Sequence, residues 1–486
     1  MRRAALWAAP KPQPLNVAMQ KAEYTRPVTI AYVGGGSLNW ATKLMGDLAQ
    51  DGTVPATVRL YDLDHAAAQR NARIGNRYAT RSDAGAPVTY SAERTLEAAL
   101  AGADIVIISI LPGSFEDMAN DIAIPERYGI RQSVGDTVGP GGFVRAMRAI
   151  PMIAEIGRAI ARHCPEAYVC NLTNPMSVLT GTLYAVFPEI RAWGSCHEVI
   201  KTRKIMAYLA NRRAGEVIYG YRDAKVNVLG INHFTFVDRA AVGGVDMMPA
   251  YLDFAREHLA SGWRESPLDP ANEHDRYFTD SFRVKFDLSL RFGIAAAAGD
   301  RHLVEFLPQA WYLDDHAAWK FGLTPVEFRM RERKQKVDHA EALDKGAPLP
   351  PALASDEAIV EQIKALLGGP EHVSNVNLPN RGQLAGFAEG TIVETNARFS
   401  PLGIQPIVAG RLPQALELLA RPHADRQNAL VAAVLSDDVD ALLPLFISDP
   451  LVAAMPQDKA MRLFREMVAA TQHRLPETLS RAGGVA

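Results

Sequence analysis

Val28-Thr29-Ile30-Ala31-Tyr32-Val33-Gly34-Gly35-Gly36-Ser37 is the stretch on which the fold turns. Its first six residues are apolar and β-branched enough to read as a buried first strand. Three glycines and a serine follow at once, and Leu38 to Ala49 then carries helical spacing. Strand, glycine turn and helix form the context in which a glycine-rich loop binds a pyrophosphate. The glycines let the backbone approach, and the helix N-terminus supplies N–H groups and positive potential. Gly34 and Gly36 fit G-x-G, but Asn39 stands where the third glycine of G-x-G-x-x-G would fall.

The next strand strengthens the reading. Val58 to Asp64 reads as a strand ending in acid, with Asp62 at its C-terminal end. A carboxylate there can accept hydrogen bonds from a ribose, which favours NAD over its 2′-phosphorylated form. Asp64 is the competing candidate. Further strands are read at Asp104–Ile110 and Tyr168–Thr173. Strands alternating with helical stretches predict a parallel sheet with ligands at the strand C-termini. The fold class is therefore α/β: a Rossmann-type sheet over 26–200, an α+β domain over 201–486, and a loosely ordered extension over 1–25.

Composition narrows the partners. The chain has 486 residues, 48% hydrophobic and 22% charged, and a net charge of −2. That is the balance of a globular enzyme, with no basic block for nucleic acid. Three cysteines do not make a disulfide framework, so a reduced, cytoplasmic setting is expected. No apolar run is long enough to span a membrane. The long amphipathic stretch 412–473 would suit packing between subunits, as a dimer or tetramer.

Several loops carry chemistry. The acid- and glycine-rich run Leu111–Gly142 follows a strand of the sheet and is expected over the cofactor face, with Asp121 and Asp136-Thr137 in it. Asn174-Pro175 closes a strand, so Asn174 is either a helix cap or an amide for ligand hydroxyls. Trp193-Gly194-Ser195-Cys196-His197-Glu198-Val199 sets thiolate, imidazole and carboxylate side by side. All three are metal-ligand types. Alternate residues of a strand face opposite ways, so the three cannot easily share one ion. Cys196 is the candidate ligand, completed by residues distant in sequence. Val226–Val237 reads as a strand broken at Gly230 that carries a lone His233. Asn375–Asn380 reads as a turn-rich loop before a strand at Gly390–Thr395. A polar, proline-broken linker is expected near 335–355.

Taken together and in order, these motifs resemble glycoside hydrolase family 4, the NAD- and Mn-dependent glycosidases, which share the fold of lactate and malate dehydrogenases. The resemblance rests on Gly34–Ser37, Asp121 ahead of Pro125 and Gly129, and Asp136-Thr137-x-Gly139-Pro140-Gly141-Gly142. It continues through Asn174-Pro175, Cys196-His197 and Asn232-His233, and it runs from about Val28 to about residue 470. It implies NAD at Gly34, Gly36, Ser37 and Asp62, and Mn²⁺ between Cys196 and His233. It implies Asp121 as general acid and Asn174 on the substrate hydroxyls. The base varies within the family; Asp300 is the nominee, with His302 and Tyr312 behind it. The implied reaction departs from two-carboxylate hydrolysis. It runs by oxidation at C3, deprotonation at C2, elimination, water addition and re-reduction.

Cys196-His197-Glu198-Val199 looks like the α-galacturonidase subgroup, with His197 and Glu198 facing the sugar. A Cys-His-Ser form would mark α-galactosidases or α-glucosidases. A uronate needs a cation, and Arg283, Lys285, Arg291 and Arg301 lie in a suitable region, with Arg301 the first choice. The rival readings are a hydroxy-acid dehydrogenase, for which neither an Arg-rich substrate loop nor an Asp–His pair stands intact, and a non-catalytic sugar sensor.

Overall fold

The computed structural model describes residues 26–81, 85–265, 269, 272–351 and 355–483. The expected extension over 1–25 lies outside them. The parallel strands are β1 (Val28–Val33), β2 (Ala56–Tyr61), β3 (Val88–Glu93), β4 (Ile105–Ile108), β5 (Tyr168–Asn171) and β6 (Arg191–Gly194). They stand in the order β6-β5-β4-β1-β2-β3, the Rossmann arrangement predicted from the glycine turn. β4 is buried at every residue, as a strand covered on both faces must be. β3 escaped the sequence reading. It is an edge strand with only Val88 and Tyr90 buried, so it lacks the continuous apolar run of its neighbours.

Beyond β6 the same sheet continues with antiparallel strands His372–Pro379, Ile392–Ser400 and Gly403–Pro406, nine strands in all. The expected boundary near residue 200 is therefore not a boundary of the sheet. His372–Pro379 replaces the turn-rich loop expected at Asn375–Asn380. Asn375 and Asn377 lie on one face of that strand and give their amides to the buried carboxylate of Glu394, at 2.8 and 3.3 Å. Val376 and Leu378 fill the other face. Half of the strand's buried face is thus polar, which hides it from a hydrophobicity pattern.

A second sheet holds β7 (Lys225–Ile231) and β8 (Phe234–Val242) as a hairpin. The chain turns at Asn232-His233, not at Gly230, and His233 takes φ +65°. The acid-rich run after β4 is mostly helical. Ser114 and Asp117 form a capping box that starts helix Phe115–Arg127. Pro140 opens helix Gly139–His163. Helix Val326–Asp344 runs through the start of the expected linker. The C-terminal stretch forms three helices, Gln414–Leu435, Val439–Ile447 and Gln457–Thr471. Among the described residues no helix is long and apolar enough to cross a membrane.

One buried histidine ties the C-terminal helices to the site. His423 Nε2 donates to the Phe306 carbonyl at 2.9 Å, and Nδ1 accepts from Arg426 at 3.2 Å. Burial pushes its pKa down to about 4, from an ordinary 6.5. Between those values the unfolded chain binds a proton that the folded one refuses, so stability is lost as pH falls through that window. This group alone is expected to remove about 2 kcal/mol between pH 7 and pH 5. Urea unfolding of wild type and His423→Gln at both pH values checks it: the variant should show the smaller loss.

Candidate active site

Two groups of side chains define the site. The first surrounds the glycine turn. Gly34 has φ +95°, and a Cβ there would lie 2.0 Å from the Ser109 carbonyl oxygen. The N–H groups of Gly34 and Gly35 both donate to Tyr61 O at 2.8 Å, and Ser37 N to Gly34 O at 3.0 Å. Gly36 N donates to Asp62 at 2.9 Å. Asp62 thus sits against the turn. Asp64 is occupied as the cap of helix His65–Ala79, accepting from Ala67 N. The helix after the turn begins at Trp40, two residues later than its spacing suggests, because Ser37 Oγ accepts from Trp40 N. Gly34→Ala is expected to cost about 2–3 kcal/mol of stability through left-handed strain and this clash. A denaturant midpoint measurement on the variant checks it.

The second group lies at the C-terminal side of the sheet. Donor atoms of Asp136, His233 and His302 all lie within 4.8 Å of one another. The β7–β8 turn presents His233, the segment before helix Gly139–His163 presents Asp136, and the short helix Asp300–Leu303 presents His302. The two imidazoles face each other at 3.8 Å between centroids. Burial pushes His302 down to about 3 and lowers His233, so both rings are neutral. Burial opposes charge on Asp136, but the Arg145 guanidinium and the hydrogen bond from Thr137 favour the carboxylate and hold it below its usual range.

Hydrogen bonds fix the tautomer of His233. Its Nδ1 lies 2.9 Å from Thr137 Oγ1, and that hydroxyl donates to Asp136 Oδ1 at 2.7 Å. A hydroxyl has one proton, so Nδ1 must be the donor to Thr137, and Nε2 keeps a free lone pair. His302 Nδ1 and Asn174 Oδ1 are buried without a hydrogen-bond partner. A carboxylate, two neutral imidazoles and orphaned buried acceptors suit a divalent cation.

Of the expected ligand pair, His233 is in this group. Cys196 is not in the group. It is half-buried, and desolvation with Glu394 and Glu198 nearby pushes its thiol well up. The expected pair named one member of the group, His233. Asp136 stood within a quoted motif, and His302 stood next to the nominated base.

The other expected residues are placed as follows. Asp121 is buried, and both carboxylate oxygens are held by Arg148. Burial raises its pKa against the pull of that guanidinium. Asp300 caps helix Arg283–Phe292, accepting from Val284 N at 3.1 Å and Lys285 N at 2.9 Å. Burial and Asp280 push its carboxyl well up. It holds the start of that helix. Tyr312 donates to Asp287 at 2.6 Å. Asn174 does reach the group, with Nδ2 3.3 Å from Asp136 Oδ2. Glu198 accepts from Gly299 N at 2.8 Å and lies 3.6 Å from Lys201, anchoring the segment that leads to His302. His197 is half exposed, 3.3 Å from Glu357 and beside the Trp40 ring. Arg301 is buried and bonded to Gly322 O, Ser133 O and Thr324, so its guanidinium serves the fold.

A dinucleotide-type sheet whose C-terminal edge gathers a carboxylate and two neutral imidazoles defines an enzyme with both nucleotide and metal-binding capacity. The chain belongs to the family 4 glycosyl hydrolases: residues 29–212 match the model of that family and residues 228–452 the model of its C-terminal domain. It is 45% identical over 450 residues to an α-galacturonidase of Thermoanaerobacterium saccharolyticum, covering 92% of this chain and 96% of that protein. It superposes on a Bacillus subtilis crystal structure with a TM-score of 0.86 at 46% identity, covering 91% of this chain and 99% of that one. It also shares its fold, with a TM-score of 0.71 at 19% identity, with a Thermotoga maritima 6-phospho-β-glucosidase solved with manganese, NAD⁺ and glucose-6-phosphate; that match covers 92% of this chain and 99% of that one.

Proposed function

We propose that this chain hydrolyses α-galacturonides using NAD and a divalent metal, Mn²⁺ by preference. The observation that carries the reading is the 45% identity, over almost the full length of both chains, to a protein named α-galacturonidase. The donor set supports it. Asp136, His233 and His302 would hold the metal. Cys196 is retained as a further donor, because Glu198 neighbours its thiol and also both imidazoles. A divalent cation would convert that thiol to the thiolate.

The glycine turn has spent its own N–H groups. A pyrophosphate would therefore lie on the first turn of helix Trp40–Asp51, with Asp62 left to meet the ribose. When bound, the cofactor supplies a hydride acceptor and donor, and the metal a Lewis acid at the sugar oxygens. The protein's own part is to position the sugar. The free Asn174 Oδ1 would accept from a sugar hydroxyl beside Asp136, and His197 and Glu198 frame the glycone. We read the protein as cytoplasmic and as a dimer or tetramer acting on a small carbohydrate, with neither nucleic acid nor membrane as partner. Three free cysteines support the first point.

The test is a panel of p-nitrophenyl α-glycosides with NAD, Mn²⁺ and a thiol reductant. The galacturonide should be cleaved without net NADH, and chelation of the metal should abolish the reaction. Release from galactoside or glucoside alone would assign the chain to the neutral-sugar subgroup. Net NADH from a hydroxy acid would make it a dehydrogenase. Undiminished metal dependence in Cys196→Ser would remove Cys196 from the donor set.

A further inference from the structure

A uronate differs from a neutral sugar by one carboxylate, and the cations expected to meet it are committed elsewhere. Arg283 gives Nε to Leu259 O at 2.8 Å and Nη1 to Ala318 O. Lys285 gives Nζ to Thr202 Oγ1 at 3.0 Å and Ala297 O at 2.9 Å. Arg291 pairs with Asp287 at 2.6 Å, and Arg301 is tied to backbone oxygens as described. Arg145, which faces Asp136, gives Nε to Asn174 O at 3.1 Å.

Arg329 is different. It stands in the first turn of helix Val326–Asp344. Its Nε is buried and has no hydrogen-bond partner. Its guanidinium lies 5.7 Å over the Phe278 ring, which also carries Arg301 at 4.7 Å. Arg301 immediately precedes His302 of the metal-donor group, and of the carboxylates that act on Arg329 the one with the largest effect is Asp136. A buried N–H without an acceptor is destabilising, and a ligand oxygen would relieve it. An aromatic face that holds the guanidinium plane pre-organises the fork that fits a carboxylate.

We propose that Arg329 is the residue that binds the substrate carboxylate beside the metal-donor group, and so sets the preference for a uronide. This rests on the α-galacturonidase reading above. The experiment compares kcat/KM for p-nitrophenyl α-galacturonide with that for its methyl ester, which keeps the sugar and removes the charge. Wild type should favour the acid strongly. In Arg329→Gln the acid-to-ester ratio should fall about 100-fold, chiefly through KM for the acid. In Arg329→Lys, which keeps charge without the fork, it should fall about tenfold. The lysine variant decides the matter if the glutamine variant does not fold. A ratio unchanged in the folded variants, whether total activity is kept or lost, overturns the role of Arg329 and leaves the α-galacturonidase reading standing. Wild-type cleavage of neutral glycosides alone overturns that reading and this proposal with it.

Discussion

His233→Ala is expected to lower kcat/KM on the galacturonide about 1,000-fold and to weaken Mn²⁺ binding at least 100-fold. His233 is the only member of the donor group on the β7–β8 turn, and its lone pair is fixed by the Thr137–Asp136 chain of hydrogen bonds. A Lewis-acid metal supplies several kcal/mol of transition-state stabilisation, and about 1.4 kcal/mol is tenfold in rate. Three orders of magnitude is what losing most of that term removes. The turn complicates alanine, because His233 has φ +65°. His233→Asn separates the two effects. Asparagine tolerates the left-handed region, so the hairpin should keep its stability while the imidazole is lost. Equal loss of activity in both variants, with near-wild-type melting in His233→Asn, identifies the imidazole as the cause. Thr137→Val should lie between, about 10–100-fold down in metal affinity, because it frees the ring to change tautomer. Mn²⁺ titration by calorimetry and steady-state rates read all three.

The parts of this molecule that show in the sequence are those with local causes. β1, the glycine turn and Asp62 were legible because a buried parallel strand and its turn are written in consecutive residues. The metal-donor group was not, because it joins Asp136, His233 and His302 across 166 residues of chain. The contiguous Cys196-His197-Glu198 is the more conspicuous run of donor types. Yet the structure turns these three to separate places: a half-buried thiol, a half-exposed ring beside Glu357, and an anchor for Gly299. Arg329 is not legible in the sequence for a different reason. It sits in a helix rich in exposed charges, and only burial of its Nε sets it apart from Arg331 and Arg333. Asp121 and Asp300 show how far structural partners lie outside the local sequence. Each is an acid in the right stretch, and each is taken by a structural partner that sequence proximity does not reveal.

Arg148→Met is expected to cost about 3–5 kcal/mol of stability, because it strands the buried Asp121 carboxylate. Both groups are essentially excluded from solvent, at 0% and 3% side-chain exposure, so water cannot replace the lost partner. Arg148 also donates Nε to Pro112 O at 2.9 Å, which adds an unsatisfied carbonyl. The cost should depend on pH with a definite sign. Burial already raises the Asp121 pKa, against the opposing pull of Arg148. Removing the guanidinium raises it further. A group with a raised folded pKa contributes stability below its unfolded pKa and loses it as pH rises through the folded one. Arg148→Met should therefore be most destabilised at pH 8 and recover part of the loss at pH 5, by urea unfolding at each. Arg148→Met combined with Asp121→Leu removes both charges and should be more stable than Arg148→Met alone, since a matched apolar pair tolerates burial. The damage also has a route to the site. Asp121 O accepts from Gln132 Nε2 at 2.9 Å, and Gln132 Oε1 accepts from Gly141 N at 2.8 Å. Those bonds brace the turn that carries Asp136. The variant should therefore bind Mn²⁺ about tenfold more weakly even where it is fully folded. Unchanged metal affinity in a folded Arg148→Met would confine the ion pair to stability alone.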